Sequence, residues 1–357
     1  ALSLGDLKKL KSIGIKTVIF FLGSSAIAAT IGLIYGNLIQ PGKGVLLSGN
    51  VTKVNVKELP GFYKTILDLI PNNPFQSLTN GDMMPIIVFA LLMGFAIIKL
   101  GDKAKGLANV MSALSMVMFS IINIIIALIP YGVFGLMAVA MAKYGTAIFG
   151  PVLKFILADY LSQGTMVVAV YSIFLIGIAK VSPIAFWRKA IQPYIIAFST
   201  CTSSAALPVS MDIAPRKLGV PRDISSFVLP LGATANMNGT CIYFGIIVIF
   251  ASQLYGIELS LQQQILLVLQ ATFLSVGCAA TPQIGLIISI TLLTQMGLPL
   301  EATALVAGIY RIIDQAHTAT NSSGDLVTSV CIAAMEGELD RNALNDPNHG
   351  NDVSSAA

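Results

Sequence analysis

Apolar residues run on along this chain for lengths that a water-facing helix does not tolerate. Residues 15–35, 84–100, 110–141, 160–179 and 227–250 are almost wholly apolar or small. About 20 such residues suffice to cross a hydrocarbon core, so each stretch predicts a membrane span. Polar positions are as informative as the apolar ones. Residues 36–80 carry Pro, Asn and Gly clusters and predict a long loop. Residues 198–212 are too polar to span and predict a hairpin that enters and leaves on one face.

The second half carries a pattern that the first half lacks. Two Ser/Gly-rich interruptions, at residues 203–208 and 275–282, sit inside apolar stretches. Each precedes a segment interrupted by small polar residues, Asn236-Met237-Asn238-Gly239-Thr240 in one case and Thr320-Asn321-Ser322-Ser323-Gly324-Asp325 in the other. Hairpin followed by broken helix, twice over, reads as an internal repeat. Lipid cannot satisfy unwound backbone, which survives at membrane depth only where protein or a wet cavity surrounds it. Paired interruptions in two repeats point to a transporter binding site.

Composition agrees and narrows the classes. Hydrophobic residues make up 55% of the 357, and charged residues only 11%, too few to cover a soluble domain. A net charge of +4, dispersed along the chain, argues against a nucleic-acid partner. Basic residues gather at 8–16, 99–105, 188–189 and 216–222, which the positive-inside bias puts in the cytoplasm. The four cysteines have no CxxC spacing and read as buried free thiols.

Charge inside the membrane marks function by default, because an unpaired charge there costs several kcal/mol. Residues 303–334 hold Arg311, Asp314, His317 and Asp325. At helical spacing Arg311, Asp314, Thr318, Asn321 and Asp325 share one face. Asp325 has no basic neighbour within a turn or two and follows the expected break, so a hard cation that takes oxygen ligands suits it. A hydrolase built on Ser204 and His317 lacks a Gly-x-Ser-x-Gly elbow, and no metal motif is present.

At these residues the chain resembles the dicarboxylate/amino acid:cation symporters. The Ser-rich first interruption, the run 230–240, and Asp314, His317, Thr318, Asn321, Gly324 and Asp325 stand in that family's order and spacing. So do Pro71–Phe75 and Asn80-Gly81-Asp82. The resemblance implies an all-α inverted-repeat fold of the glutamate-transporter type, with two re-entrant hairpins and two broken helices. It begins at the family's third helix, so two scaffold helices are expected to be missing. Residues 1–105 are then N-terminal spans, 106–190 scaffold and the following span, 191–340 the binding core, and 341–357 a polar tail.

Site residues follow from the same resemblance. Asp314 would hold the substrate's amino group, Thr318 and Asn321 its polar atoms, and Ser203 and Ser204 its carboxylate. Thr240, Thr281 and Gly285 would complete the pocket. One Na+ would take carbonyls of Gly232, Asn236 and Asn321 with Asp325, and another would lie near Thr234, Ser275, Val276 and Cys278. Closure of the second hairpin would couple ion to substrate, and an elevator-like slide of the core would move both. The resemblance also implies a plasma-membrane homotrimer.

Three departures shape the substrate expectation. Asn238 and Phe21 replace an acid and an aromatic hydroxyl of a third sodium site, although Ser24 and Ser25 retain hydroxyls. His317 stands where acidic-substrate members have arginine, and an imidazole lacks that residue's bidentate fork. Cys201 stands where another arginine is expected. The first reading is therefore a sodium symporter of small neutral amino acids. The alternative takes acidic amino acids or dicarboxylates with sodium or protons, Arg311 supplying the missing charge. An anion channel on the same frame would show no strong substrate-dependent sodium uptake.

Overall fold

The computed structural model describes residues 4–44, 71–80, 83–276, 278, 283–346 and 349. Among them every regular element is helical. Helix α1 (Leu4–Ile39), α2 (Pro74–Asn80), α3 (Met83–Leu100) and the 40-residue α4 (Lys105–Tyr144) form the first half. Helix α5 (Phe149–Thr165) continues through two π turns, Met166–Val170 and Leu175–Ala179, that flank the short α6 (Tyr171–Phe174).

Among the described residues four runs are long and apolar enough to cross a membrane: Lys11–Ile39, Pro85–Met118, Gly145–Ala179 and Arg222–Leu254. Their burial differs in kind. Only 6% of the second run's most apolar stretch is buried inside the protein, against 94% of the fourth, so the second run is periphery and the fourth is core. Helix α2 lies within the expected 36–80 loop, which is thus partly helical. Asn73 starts it by accepting hydrogen bonds from the backbone N–H groups of Phe75 and Gln76. Residues 45–70 of that loop lie outside the described residues.

Helices α7 (Pro183–Thr200) and α8 (Ser203–Lys217) form an antiparallel pair. Cys201 turns the chain between them in the left-handed region, at φ 55°. The far ends of the pair are held by Lys189, whose Nζ donates to the Lys217 carbonyl at 3.2 Å and the Ala343 carbonyl at 2.7 Å. The expected hairpin at 198–212 is therefore two packed helices that meet at a tight tip.

Helix α9 (Arg222–Ala235) stops at Asn236–Met237 and α10 (Asn238–Leu254) begins at once, which is the expected first break. Helix α1 lies along α10 because both surfaces are cut down to glycine. A Cβ on Gly32 would strike the Ile242 carbonyl, and one on Gly245 would strike the backbone of Ala29 and Leu33. Such close backbone approach is what small residues give membrane helices.

Helices α11 (Leu261–Val276) and α12 (Ile284–Gln295) follow, then α13 (Glu301–Ala307) and α14 (Tyr310–Met335). The expected second break at Thr320–Asp325 does not occur, since α14 runs through it without interruption. Some of its hydroxyls bond back to the helix instead of freeing the backbone. Ser323 Oγ donates to the Ala319 carbonyl and Thr328 Oγ1 to the Gly324 carbonyl. The interruption in this segment falls earlier, at Gly308–Ile309.

The N-terminus of α1, the start of α9 and the end of α14 share one end of the molecule. Lys9 pairs with Asp223 at 2.5 Å and Glu338 at 2.7 Å, and Lys16 with Glu336 at 2.9 Å. Three of the four basic segments, 8–16, 188–189 and 216–222, thus gather on one face. All four cysteines are buried and free. Helix α15 (Arg341–Asn345) closes the described chain and packs on α7.

Candidate functional site

Four helix ends or faces converge on one small cleft. The α7–α8 tip contributes Cys201, Thr202 and Ser203, and the α9–α10 break contributes Met237 and Thr240. The start of α12 adds Ile284 and Gly285, and α14 adds Asp314, Thr318 and Asn321. The last three recur at helical spacing, so one stripe of α14 faces the cleft. Its free volume is about 20 Å³, enough for a water and far below the several hundred usual for a ligand pocket. A substrate therefore needs one of these walls to move.

Asp314 accepts a hydrogen bond at Oδ2 from the Gln283 backbone N–H at 3.1 Å. Gln283 sits at φ 65°, immediately before α12, so a carboxylate sits at the positive end of that helix. Asn321 fastens the break: its Oδ1 accepts from the Gly239 N–H at 2.7 Å and its Nδ2 reaches Thr240 Oγ1 at 3.4 Å. Gly285 packs under the Tyr310 hydroxyl and Thr240 so tightly that a side chain there would displace them.

The expected substrate set divides. Ser203, Thr240, Gly285, Asp314, Thr318 and Asn321 meet at the cleft, whereas Ser204 is exposed beside it and Thr281 lies outside the described residues. Arg311 is exposed one turn before Asp314, within electrostatic range of Asp314 and Cys201. His317 does not line the cleft. It points away, to Asp159 of α5, with Nε2 and Oδ1 2.8 Å apart and both side chains essentially unexposed. Sequence reasoning passed over Asp159, although a lone carboxylate at the edge of the apolar run 160–179 was a signal for it.

The cation residues also divide. Asn236 Nδ2 donates to Asp325 Oδ1 at 2.9 Å, and Gly232 abuts the same carboxylate. Asp325 has no ion pair among the described residues, yet it is buried at the C-terminal end of α9. A helix C-terminus carries unpaired carbonyls and partial negative charge, so a second negative group there calls for a cation. Among the described residues no hydrogen bond joins Thr234 to Ser275, Val276 or Cys278. Thr234 Oγ1 donates to the Leu231 carbonyl, Ser275 Oγ to Thr272 and Cys278 Sγ to Leu274.

Near Asp325 a neutral network occupies the place where the resemblance implies a third sodium site. Ser24 and Ser25 each lie 3.2 Å from Asn238 Oδ1, and Asn238 Nδ2 donates to the Tyr171 hydroxyl at 3.0 Å. That hydroxyl in turn donates to the Thr320 carbonyl at 2.9 Å.

The profile of the sodium:dicarboxylate symporter family matches residues 1–335. The chain belongs to this family. Its symporter relatives include a proton/sodium-glutamate symport protein of Bacillus caldotenax, 35% identical over 94% of this chain and 81% of that protein. A proton/glutamate-aspartate symporter of Escherichia coli is 33% identical over 94% and 79%. A C4-dicarboxylate transport protein of Rhodospirillum rubrum is 30% identical over 96% and 78%. The chain is thus a multi-pass membrane symporter and not an enzyme. These relatives are named for acidic amino acids and dicarboxylates, not small neutral amino acids, which favours the alternative expectation over the first. The His317 side chain faces Asp159 rather than the cleft, which leaves Arg311 as the cation beside it.

Proposed function

We propose that this chain carries an acidic amino acid or a C4-dicarboxylate into the cell together with sodium. The observation that supports this reading is the pairing of opposite charges at one cleft. Asp314 faces into it, and Arg311 stands one turn away with no hydrogen bond or ion pair among the described residues. Asp314 suits a substrate ammonium, and Arg311 suits a second carboxylate through its planar fork. Ser203, Thr318 and Asn321 then bind the remaining polar atoms.

Asp325 is the sodium residue in this reading, with carbonyls at the end of α9 and at Asn321. Binding of Na+ there offsets the buried charge and fixes the break at Asn236–Met237, which carries Thr240 into the cleft. The α7–α8 and α11–α12 hairpins are re-entrant. The hairpins and the α9–α10 and α14 helices slide as one body within each subunit of a trimer. The family resemblance supports these last features.

Thermal stability of the detergent-solubilised protein tests the assignment, because a ligand of the native state raises apparent stability by mass action. Aspartate, glutamate or succinate should stabilise in sodium and not in potassium. Stabilisation by serine, threonine or alanine alone would return the neutral reading. Stabilisation equal in both salts would remove sodium.

A further inference from the structure

A groove runs between the last turns of α1 and the start of α11, and it shares no residue with the cleft. It encloses about 550 Å³, and Ile34, Leu38, Leu261 and Ile265 stand exposed along its walls. From Thr30 to Leu38 the α1 wall is about 12 Å long at 1.5 Å per residue. A hydrocarbon core is about 30 Å thick, so the groove lies within one leaflet. A second cavity, of about 450 Å³, opens at its end, and Asn37 and Gln264 line both.

The second cavity is polar and stands where the chain leaves the membrane. The apolar run of α1 ends at Ile39, so Gln40 and Lys43 lie at the interface, far from the ion pairs of Lys9 and Lys16. The floor of this cavity is fixed. Gln253 accepts from the Gly42 N–H at 3.0 Å and donates to the Gly36 carbonyl at 3.2 Å. A Cβ on Gly42 would strike the Phe250 carbonyl, so this chain segment sits hard against α10. Gln264 is held as well, accepting from Asn37 Nδ2 at 3.1 Å and donating to the Leu259 carbonyl at 3.0 Å. Lys43 and Glu258 line the same cavity, both are exposed, and among the described residues neither has an ion pair. One cation and one anion thus share a polar pocket at the mouth of an apolar groove.

We propose that the groove and its polar pocket hold one phospholipid with an ethanolamine headgroup, from the leaflet opposite the basic face. An acyl chain lies between α1 and α11, and the headgroup enters the pocket. That headgroup carries a phosphate and an ammonium, and Lys43 and Glu258 supply the opposite charges that match them. An ammonium offers three N–H donors to the Glu258 carboxylate, whereas a choline headgroup offers none and a glycerol headgroup has no cation. A spanning helix from a second copy would need a groove about 30 Å long, the full thickness of the core. The bound lipid bridges α1 and α11, so it ties the first arm of the second hairpin to α1 and stabilises the folded chain. The site is independent of which substrate the cleft takes.

Native mass spectrometry of the delipidated chain in detergent, with palmitoyl-oleoyl phospholipids added one at a time, tests the proposal. Phosphatidylethanolamine should form one adduct per chain and raise the melting temperature. It should bind about tenfold more tightly than phosphatidylcholine or phosphatidylglycerol, the margin expected of one charge-assisted hydrogen bond. Glu258→Gln should erase the preference over phosphatidylcholine, and Lys43→Gln should weaken every phospholipid by about tenfold. Ile265→Trp, which fills the groove, should abolish the adduct. All three side chains are exposed, so each variant should melt like the parent protein when lipid is absent. Adducts of equal strength in the parent and both charge variants, or no preference among the three lipids, overturn the proposal. Binding of water-soluble glycerophosphoethanolamine as tightly as the lipid also overturns it, because the pocket then serves a soluble ligand. So does the absence of any adduct, and a dimer that Ile265→Trp dissociates would then put a second copy in the groove.

Discussion

The carboxylate of Asp325 lies against the Cα of Gly232, so that a Cβ on Gly232 would meet the carboxylate itself. The last turn of α9 and the proposed sodium residue of α14 therefore share a space that only glycine leaves open. Gly232→Ala should displace Asp325 and raise the sodium concentration needed for half-maximal stabilisation by about tenfold, since overpacking costs roughly 1–3 kcal/mol. Asp325→Asn should remove sodium dependence altogether. Sodium titrations of thermal stability check both, and an unchanged midpoint in either variant would sink the cation assignment.

In the proposed reading Arg311 is the residue that distinguishes acidic from neutral substrates. Arg311→Ala should weaken aspartate or succinate by about tenfold or more, because a hydrogen bond to a charged group contributes roughly 1.5–3 kcal/mol. Arg311→Lys should restore part of the loss but not the fork geometry. Calorimetric titration of each variant reads the effect. Equal affinity in Arg311→Ala would assign the substrate's second carboxylate to some other group.

Asn238 offers a gain-of-function test. Its Oδ1 faces Ser24 and Ser25, and its Nδ2 faces the Tyr171 hydroxyl. Asn238→Asp places a carboxylate among those hydroxyls without changing size. A buried charge needs a counter-charge, so sodium should bind with a steeper concentration dependence than in the parent protein. Loss of folding at low sodium with rescue at high sodium is the same result in another form. A variant indifferent to sodium would show that the site cannot take a cation.

The α1 attachment should weaken in acid. Glu336 is held below its ordinary value of 4.5 chiefly by the Lys16 hydrogen bond, with Ser12 adding to it. A depressed carboxylate contributes stability that is present above the unfolded value and lost as pH falls through the folded one. The contribution should thus decline as pH falls below about 4.5 and be gone once pH is below the depressed folded value. The pair is partly exposed, so its worth is about 0.2–1 kcal/mol and should shrink in high salt. Glu336→Gln should therefore lower the melting temperature slightly at neutral pH and leave it unchanged in acid. Melting curves across pH measure the difference.

Much of the site was legible along the chain because its residues are local. Asp314, Thr318 and Asn321 repeat at helical spacing on α14, and the break at Asn236–Met237 stands out as polar, small residues in an apolar run. The second break misled for an intelligible reason. Thr320–Asp325 has the composition of an unwound segment, but serine and threonine hydroxyls can be satisfied on their own helix, which composition cannot reveal. His317 misled differently, since helical spacing puts it near the cleft without saying which way its ring turns.

By itself the sequence determined the spans, the gathered basic face, the broken core helix and the stripe of polar residues on α14. Each depends on local pattern, where hydrophobic length and the 3.6-residue turn act within a few tens of residues. Only the tertiary structure decided that Asp159 meets His317 across 158 positions, that Gly232 makes room for Asp325, and that Lys9 reaches Glu338. Those contacts exist because α1, α5, α9 and α14 pack together, and the energy of a buried polar pair depends on both partners arriving in one place.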